Sequence, residues 1–250
     1  VVAIDPSSGE LLAIASAPSF DPNILSGRDY SKNYRNLQLD TLKPIYNRAL
    51  TATYPPGSMF KLIQALIGLE ENVVSKEDQI YVDLSRIGDL APAGIYDLNK
   101  AIVNSSNNYF HMLFRKLINQ KRDNNTFIDS RIGLDRWSEY VKKFGLGSDL
   151  DFDISNMSSG FVPSSEYYDG FYGKGRWKFS NIYSLSIGQG ELLVTPIQMA
   201  NFASIIANRG YYYNPNIVTH INGKKISNNQ RKYLNIDKTH FDYVVDAMEN

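Results

Sequence analysis

Hydrophobic and polar positions along this 250-residue chain fall into stretches of different period, and each stretch points to a different kind of element. Residues 1–4 and 11–16 are apolar runs on either side of Asp5-Pro6-Ser7-Ser8-Gly9-Glu10, a cluster of turn formers, and together they predict a β-hairpin. From residue 17 to 56, five prolines and weak periodicity predict a long irregular connection lying over a larger body. Residues 59–69 are apolar almost all round, with Lys61 and Gln64 as the polar exceptions, which is the pattern of a helix buried on every side. That pattern fades at residues 70–72. Mixed polarity over residues 73–94 fits loop with short strands. Residues 98–117 read as helix, interrupted at Asn104-Ser105-Ser106-Asn107-Asn108, and residues 134–144 as helix stopped by Gly145.

Thr195-Pro196-Ile197-Gln198 is a capping box with proline at the first helical position, and it predicts a helix to about Asn208 with Gly210 ending it. Residues 217–221 and 225–226 flank Asn222-Gly223, a two-residue hairpin signal. Residues 239–250 are helical in pattern. Asp149, Asp151 and Asp153 alternate with Leu150, Phe152 and Ile154, which predicts a half-buried strand. The same stretch imitates the opening of a calcium loop, but Ile154 and Gly160 stand where such a loop needs glycine and glutamate.

Composition removes several function classes. Apolar residues make up 43% of the chain, 26 basic and 26 acidic residues cancel, and no run of like charge marks a nucleic-acid partner. The absence of cysteine excludes disulfides, thiol catalysis and cysteine-ligated metal. His111, His220 and His240 are scattered and outside any HExxH pattern, so they read as surface or packing residues, and neither metal nor cofactor is expected. Gly188-Gln189-Gly190 is too short for a dinucleotide fingerprint. The 17 tyrosines are dispersed and read as core and rim. No run reaches 18 apolar residues, so no transmembrane span is expected within the chain. The first residues already read as strand without an initiator methionine, so the chain is expected to be cut from a longer one, with any signal or anchor outside it.

One pair of residues carries candidate chemistry. Ser58 and Lys61 stand three apart in Tyr54-Pro55-Pro56-Gly57-Ser58-Met59-Phe60-Lys61, at the start of the buried helix. Burial disfavours the charged ammonium and lowers its pKa, which turns a lysine into a base near neutral pH, and residues i and i+3 share one helix face. The prolines and Gly57 place Ser58 at the helix start, where free N–H groups gather and can hold an oxyanion. A Ser-x-x-Lys pair occurs about once by chance in a chain of this size. On these residues alone, a catalytic serine with its own base and an N-capping serine beside an incidental lysine both stay open.

Longer segments carry a resemblance to the transpeptidase domain of class B penicillin-binding proteins and, within them, to the elongation branch known as penicillin-binding protein 2. They are Asp5-Pro6-Ser7-Ser8-Gly9-Glu10-Leu11-Leu12-Ala13, Pro18-Ser19-Phe20-Asp21-Pro22-Asn23, Asn47-Arg48-Ala49 leading to the Ser58 segment, and Ser184-Leu185-Ser186-Ile187-Gly188-Gln189-Gly190-Glu191-Leu192-Leu193-Val194-Thr195-Pro196. The family usually has threonine where Met59 stands. Its second motif, Ser-x-Asn, matches four triplets here, beginning at Ser31, Ser105, Ser106 and Ser227, and the following Tyr109-Phe110 selects Ser105-Ser106-Asn107. A polar cluster that merely interrupts and caps a helix is the plainer reading of that segment. The third motif, Lys-Thr-Gly or Lys-Ser-Gly, is absent from this sequence.

The resemblance implies an α/β (α+β) fold like that of penicillin-binding proteins and serine β-lactamases, with an antiparallel sheet backed by helices beside a mostly helical subdomain. Residues 1–250 would form one transpeptidase domain, lacking its C-terminal strands and the N-terminal anchor and pedestal. It implies a D,D-transpeptidase in which Ser58 is the nucleophile, Lys61 the base, Ser105 a proton relay and Asn107 a substrate-binding residue that also fixes Lys61. Peptidoglycan stem peptides, β-lactam antibiotics and a membrane glycan polymerase of the elongation machinery are the implied partners. The bacterial inner membrane is the implied location, with the catalytic domain in the periplasm. Rival readings on the same fold are a serine β-lactamase, a penicillin sensor, a carboxypeptidase and a non-catalytic wall-binding scaffold, and the missing third motif favours only the last.

Overall fold

The computed structural model describes residues 1–154, 156–226 and 230–250, and it opens on the expected hairpin, with β1 (Val2–Ile4) antiparallel to β2 (Leu11–Ile14). Asp5 holds the turn by accepting from the Ser7 amide at 2.8 Å and the Ser7 hydroxyl at 2.7 Å. The connection that follows is less irregular than its prolines imply. It contains a 3-10 turn (Pro22–Leu25) and helix α1 (Tyr30–Leu39), none of whose residues is buried. With no core to face, α1 needs no apolar stripe, so periodicity carried no sign of it. It is held locally, by Tyr30 stacked on Tyr34 at 5.8 Å and by the Asn33 amide donating to Ile24 O at 2.7 Å.

A 3-10 turn (Gly57–Met59) leads into α2 (Phe60–Glu70), where every residue from Ile63 to Leu69 is buried. The mixed stretch after it supplies β3 (Ile80–Val82), which pairs antiparallel with β4 (Gly94–Tyr96). The expected interrupted helix is two helices, α3 (Leu98–Val103) and α4 (Asn107–Ile118), broken at the polar cluster. Helix α5 (Thr126–Lys143) starts eight residues before the apolar pattern does. Asn125 caps it by accepting from the Phe127 amide at 2.9 Å, and Ile128 and Ile132 in its first turns are exposed, so that end presents no continuous apolar face.

Next come α6 (Ser165–Tyr172), α7 (Phe179–Ile182) with a 3-10 turn (Tyr183–Ile187), and α8 (Pro196–Ala207). The capping box at α8 forms as expected: Gln198 Oε1 accepts from the Thr195 amide at 3.0 Å and the Thr195 hydroxyl accepts from the Gln198 amide at 3.4 Å. The strands β5 (Tyr211–Tyr212), β6 (His220–Ile221), β7 (Lys224–Lys225) and β8 (Lys232–Tyr233) pair as β5–β8 and β6–β7, and α9 (Lys238–Met248) ends the chain. Asn222 and Gly223, both at positive φ, make the tight turn between β6 and β7.

The half-buried strand expected at Asp149–Ile154 is coil. Its alternation survives, with Leu150 buried, Phe152 and Ile154 half-buried and the three aspartates exposed, but among the described residues no strand lies alongside to form a ladder. Carboxylates take over that role: Asp153 accepts from the amides of Ile217 and Val218, both at 3.0 Å.

The mixed class implied by the sequence stands, with the antiparallel strands of the described residues present as separate two-stranded pairs. Helices therefore carry the core. Phe60 and Phe114 meet Trp137 edge-on at 5.8 and 5.3 Å, which ties α2, α4 and α5 together, and Phe241 and Val244 close the cluster from α9. Leu50, Leu150 and Ile197 form a smaller cluster under the first hairpin. Among the described residues no helix is long and apolar enough to cross a membrane.

Candidate active site

The turn that presents Ser58 is fixed by its neighbours before any chemistry enters. Tyr54 exchanges two backbone hydrogen bonds with Val194, each 2.9 Å, and the Gly57 amide donates to Gly188 O at 2.9 Å. Gly57 and Gly188 both have positive φ, at 61° and 69°. A Cβ on Gly188 would lie 2.4 Å from Gly57 O and 2.6 Å from the Phe60 Cβ, so only glycine allows this approach. The Ile187-Gly188-Gln189-Gly190 segment, known until here only as a likeness in sequence, is thus the backing wall of the Ser58 turn.

Ser58 is exposed, and its hydroxyl makes no hydrogen bond among the described residues. Position Met59 is the N-cap of α2 and has no side-chain cap. The capping role that competed with catalysis for Ser58 is therefore not one it fills.

Lys61, three residues on, is 2% exposed. Its amine donates to Ser105 O, to the Ser105 hydroxyl at 2.9 Å and to Asn107 Oδ1 at 2.6 Å. An ammonium has three hydrogens, and these three oxygens take all of them. The expected bond from Lys61 to the Ser58 hydroxyl is accordingly absent among the described residues, although Ser58 stands in the 3-10 turn that leads directly into the helix of Lys61. Burial lowers the pKa of Lys61 from 10.5 to about 8, against the pull of the Asp89 carboxylate, which raises it. Loss of one proton leaves two donors and a lone pair, and the lone pair is free to face Ser58.

Backbone strain places Ser105 in this arrangement. Its φ is +50°, in the left-handed region that costs a non-glycine residue roughly 1–2 kcal/mol. The kink is held by amide bonds of 3.0 Å from Ser105 to Ile102 O and from Ser106 to Ala101 O at the end of α3. Ser106 then caps α4, its hydroxyl accepting from the Tyr109 amide at 3.3 Å. The polar cluster is thus both a self-capped helix interruption and the partner of Lys61, with Ser106 filling the first role and Ser105 and Asn107 the second.

Of the three Ser-x-Asn triplets among the described residues, the one at Ser105 meets Lys61 through both its serine and its asparagine. Ser31 lies on exposed α1, and the Ser227 triplet lies outside the described residues. Ser106 and Asn108 turn instead to the loop at residues 86–91. Asp89 accepts from the Ser106 hydroxyl at 3.0 Å and from the Asn108 amide at 2.8 Å, while Asn107 Nδ2 donates to Gly88 O at 2.6 Å. Burial alone would raise the Asp89 pKa, but the backbone N–H groups of Asn108, Asn107 and Ala91 outweigh it and hold the carboxyl below its usual value. Sequence reasoning missed this brace. An aspartate in a loop of mixed polarity carries no pattern that marks it as the anchor of a helix start 17 residues later.

The three histidines stay apart: His111 is buried in α4, His220 is exposed on β6, and His240 Nδ1 lies 4.0 Å from Glu70. None belongs to the Ser58 cluster.

The model of the penicillin-binding protein transpeptidase domain matches residues 1–250. The peptidoglycan D,D-transpeptidase MrdA of Acinetobacter baumannii is 30% identical over 98% of this chain and 36% of its own length. Penicillin-binding protein 2 of Pseudomonas aeruginosa, solved in complex with WCK 5153, superposes with a TM-score of 0.80 at 30% identity, over 99% of this chain and 55% of that one. A chain described in the structural coordination of polymerization and crosslinking by a peptidoglycan synthase complex gives a TM-score of 0.80 at 26% identity, over 98% and 41%. The chain spans about a third of the length of the curated relatives it matches. Matched by the family model from its first residue to its last, this chain belongs to the family of penicillin-binding protein transpeptidase domains.

Proposed function

We propose that residues 1–250 form the transpeptidase domain of a peptidoglycan D,D-transpeptidase that works through an acyl-enzyme on Ser58. The observation that carries this reading is the desolvated Lys61 amine, held by Ser105 and Asn107, three residues after an exposed serine whose hydroxyl makes no hydrogen bond among the described residues.

In the first step neutral Lys61 takes the Ser58 proton, and Ser58 Oγ attacks the carbonyl between the last two D-alanines of a stem peptide. Backbone N–H groups at the start of α2 are suited to the oxyanion that develops. Ser105, within 2.9 Å of the amine, passes the proton to the leaving nitrogen, the C–N bond breaks and D-alanine departs, leaving a serine ester. In the second step the amine of another stem peptide attacks that ester and gives up its proton to the Lys61–Ser105 pair. An amide cross-link forms and Ser58 is regenerated. Asn107, braced by Gly88 O, fixes the amine and offers its amide edge to the peptide backbone.

By the same reading β-lactams acylate Ser58, and the domain serves cell elongation on the periplasmic side of a bacterial inner membrane beside a glycan polymerase. Likeness to the MrdA proteins and to a peptidoglycan synthase complex supports that assignment.

Intact-protein mass spectrometry with benzylpenicillin tests the reading. One adduct per chain, mapping to Ser58 and lost in Ser58→Ala, is the expected result. That variant should keep its melting temperature, because the exposed hydroxyl has no partner. An adduct that persists on Ser58→Ala would refute the assignment.

A further inference from the structure

Two walls run away from Ser58 and meet again in a second concavity. One is α4, whose first residue Asn107 holds Lys61. The other runs from Lys178 through α7 and the Tyr183–Ile187 turn to Gly188, which backs the Ser58 turn. Between their far ends lies a cleft of about 450 Å³ lined by Arg86, His111, Arg115, Lys178, Phe179 and Tyr183.

The charge in this cleft is one-sided. No carboxylate lines it, and Arg86, Arg115 and Lys178 form no ion pair among the described residues. Like charges around one concavity repel each other, and a cleft with apolar walls concentrates their field on whatever enters. The groups are also ordered. The Arg115 guanidinium stacks over Phe179 at 5.5 Å, and His111 meets the same ring edge-on at 5.2 Å. His111 is 8% exposed, and its Nδ1 has no hydrogen-bond partner among the described residues. Burial and the neighbouring Arg86 and Arg115 keep this imidazole below its usual pKa, so at neutral pH it is an uncharged polar group facing a cationic site.

Position relates the cleft to the chemistry. His111 and Arg115 follow Asn107 by four and eight residues, about 6 and 12 Å along the helix. An extended peptide covers that range in roughly two to four residues. Arg86 belongs to the same loop as Gly88, which Asn107 holds, and its own amide donates to Asn108 Oδ1 at 3.3 Å.

We propose that this cleft is a carboxylate subsite, in which Arg86, Arg115 and Lys178 hold an acidic residue of the stem peptide a few residues from the bond that Ser58 cuts. Guanidinium forks suit a carboxylate, which they bind through paired hydrogen bonds. The inference rests on the transpeptidase reading and adds to it a determinant of substrate choice.

The test uses the protein at its full natural length and two synthetic peptides ending in D-Ala-D-Ala. They differ only in one upstream acidic residue, carboxylate in one and carboxamide in the other. D-alanine release at low peptide concentration is expected to be on the order of tenfold faster for the carboxylate peptide. Arg115→Gln should bring the ratio towards one, and Lys178→Glu should bring it towards one or invert it. Equal rates for the two peptides on the native protein, or a ratio that both variants leave intact, would overturn the proposal while an adduct of benzylpenicillin on Ser58 still upheld the transpeptidase reading. Absence of that adduct would instead remove the reading itself, and the subsite with it.

Discussion

Lys61 and Gln64 are the two buried polar residues of α2, one turn apart, and the structure treats them in opposite ways. Gln64 is neutral and paired in both directions: its amide donates to Leu185 O at 3.2 Å, and its carbonyl accepts from the Trp137 indole at 2.9 Å. It ties α2 to α5 and to the turn before Gly188. Lys61 carries a charge that burial disfavours, draws its partners from the strained Ser105 and from Asn107 beside it, and follows by three residues a serine whose hydroxyl has no partner among the described residues. A satisfied neutral pair fixes the fold, whereas a desolvated cation in a strained cluster holds a proton that it can give up.

That contrast can be broken at three points. Ser105→Gly removes the hydroxyl to which Lys61 donates, the proposed proton relay, and should slow acylation of Ser58 by benzylpenicillin on the order of a hundredfold. Because glycine accepts the positive φ, melting temperature should hold or rise, corresponding to about 1 kcal/mol. Parallel loss of activity and stability would mean that Ser105 is structural only. Gly188→Ala pushes a Cβ into Gly57 O and Phe60, so the Ser58 turn must shift. Acylation should fall about tenfold and stability by about 1–3 kcal/mol, and unchanged kinetics would show that this wall does not position Ser58. Gln64→Leu should do the reverse of Ser105→Gly. It strands the Trp137 N–H and Leu185 O at a cost of about 2–3 kcal/mol, lowers the melting temperature by several degrees, and leaves acylation of the folded protein within about threefold.

Sequence patterns made part of this contrast legible. The apolar run around Lys61 and Gln64 marked a buried helix, and the Ser105–Asn107 cluster marked the break that faces it. Thr195, Asn222 and Gly223 placed a helix start and a turn through local chemistry that needs no distant partner. What stayed hidden depends on distant partners or on their absence. Whether Gln64 or Lys61 is satisfied is decided by Trp137, Leu185 and Ser105, each 44 or more residues away in sequence from the residue it meets. The Asp89 brace, the contact of Gly57 with Gly188 and the basic cleft are likewise products of tertiary approach. Helix α1 has no buried face to announce it, and residues 149–154 alternate correctly for a strand that no neighbour completes.

The pH dependence of Ser58 acylation tests most directly whether Lys61 is the base. Its pKa in the folded chain is about 8, so the neutral amine grows as pH rises through that value. An unfolded lysine keeps its proton to about 10.5, so the energetic cost of burying the charge is fully present below pH 8 and fades between about 8 and 10.5. The second-order rate constant for benzylpenicillin should climb about tenfold per unit well below pH 8, bend near 8 and then level off. A rate that is flat or falling from about pH 6 to 9 would contradict the assignment of Lys61 as the base.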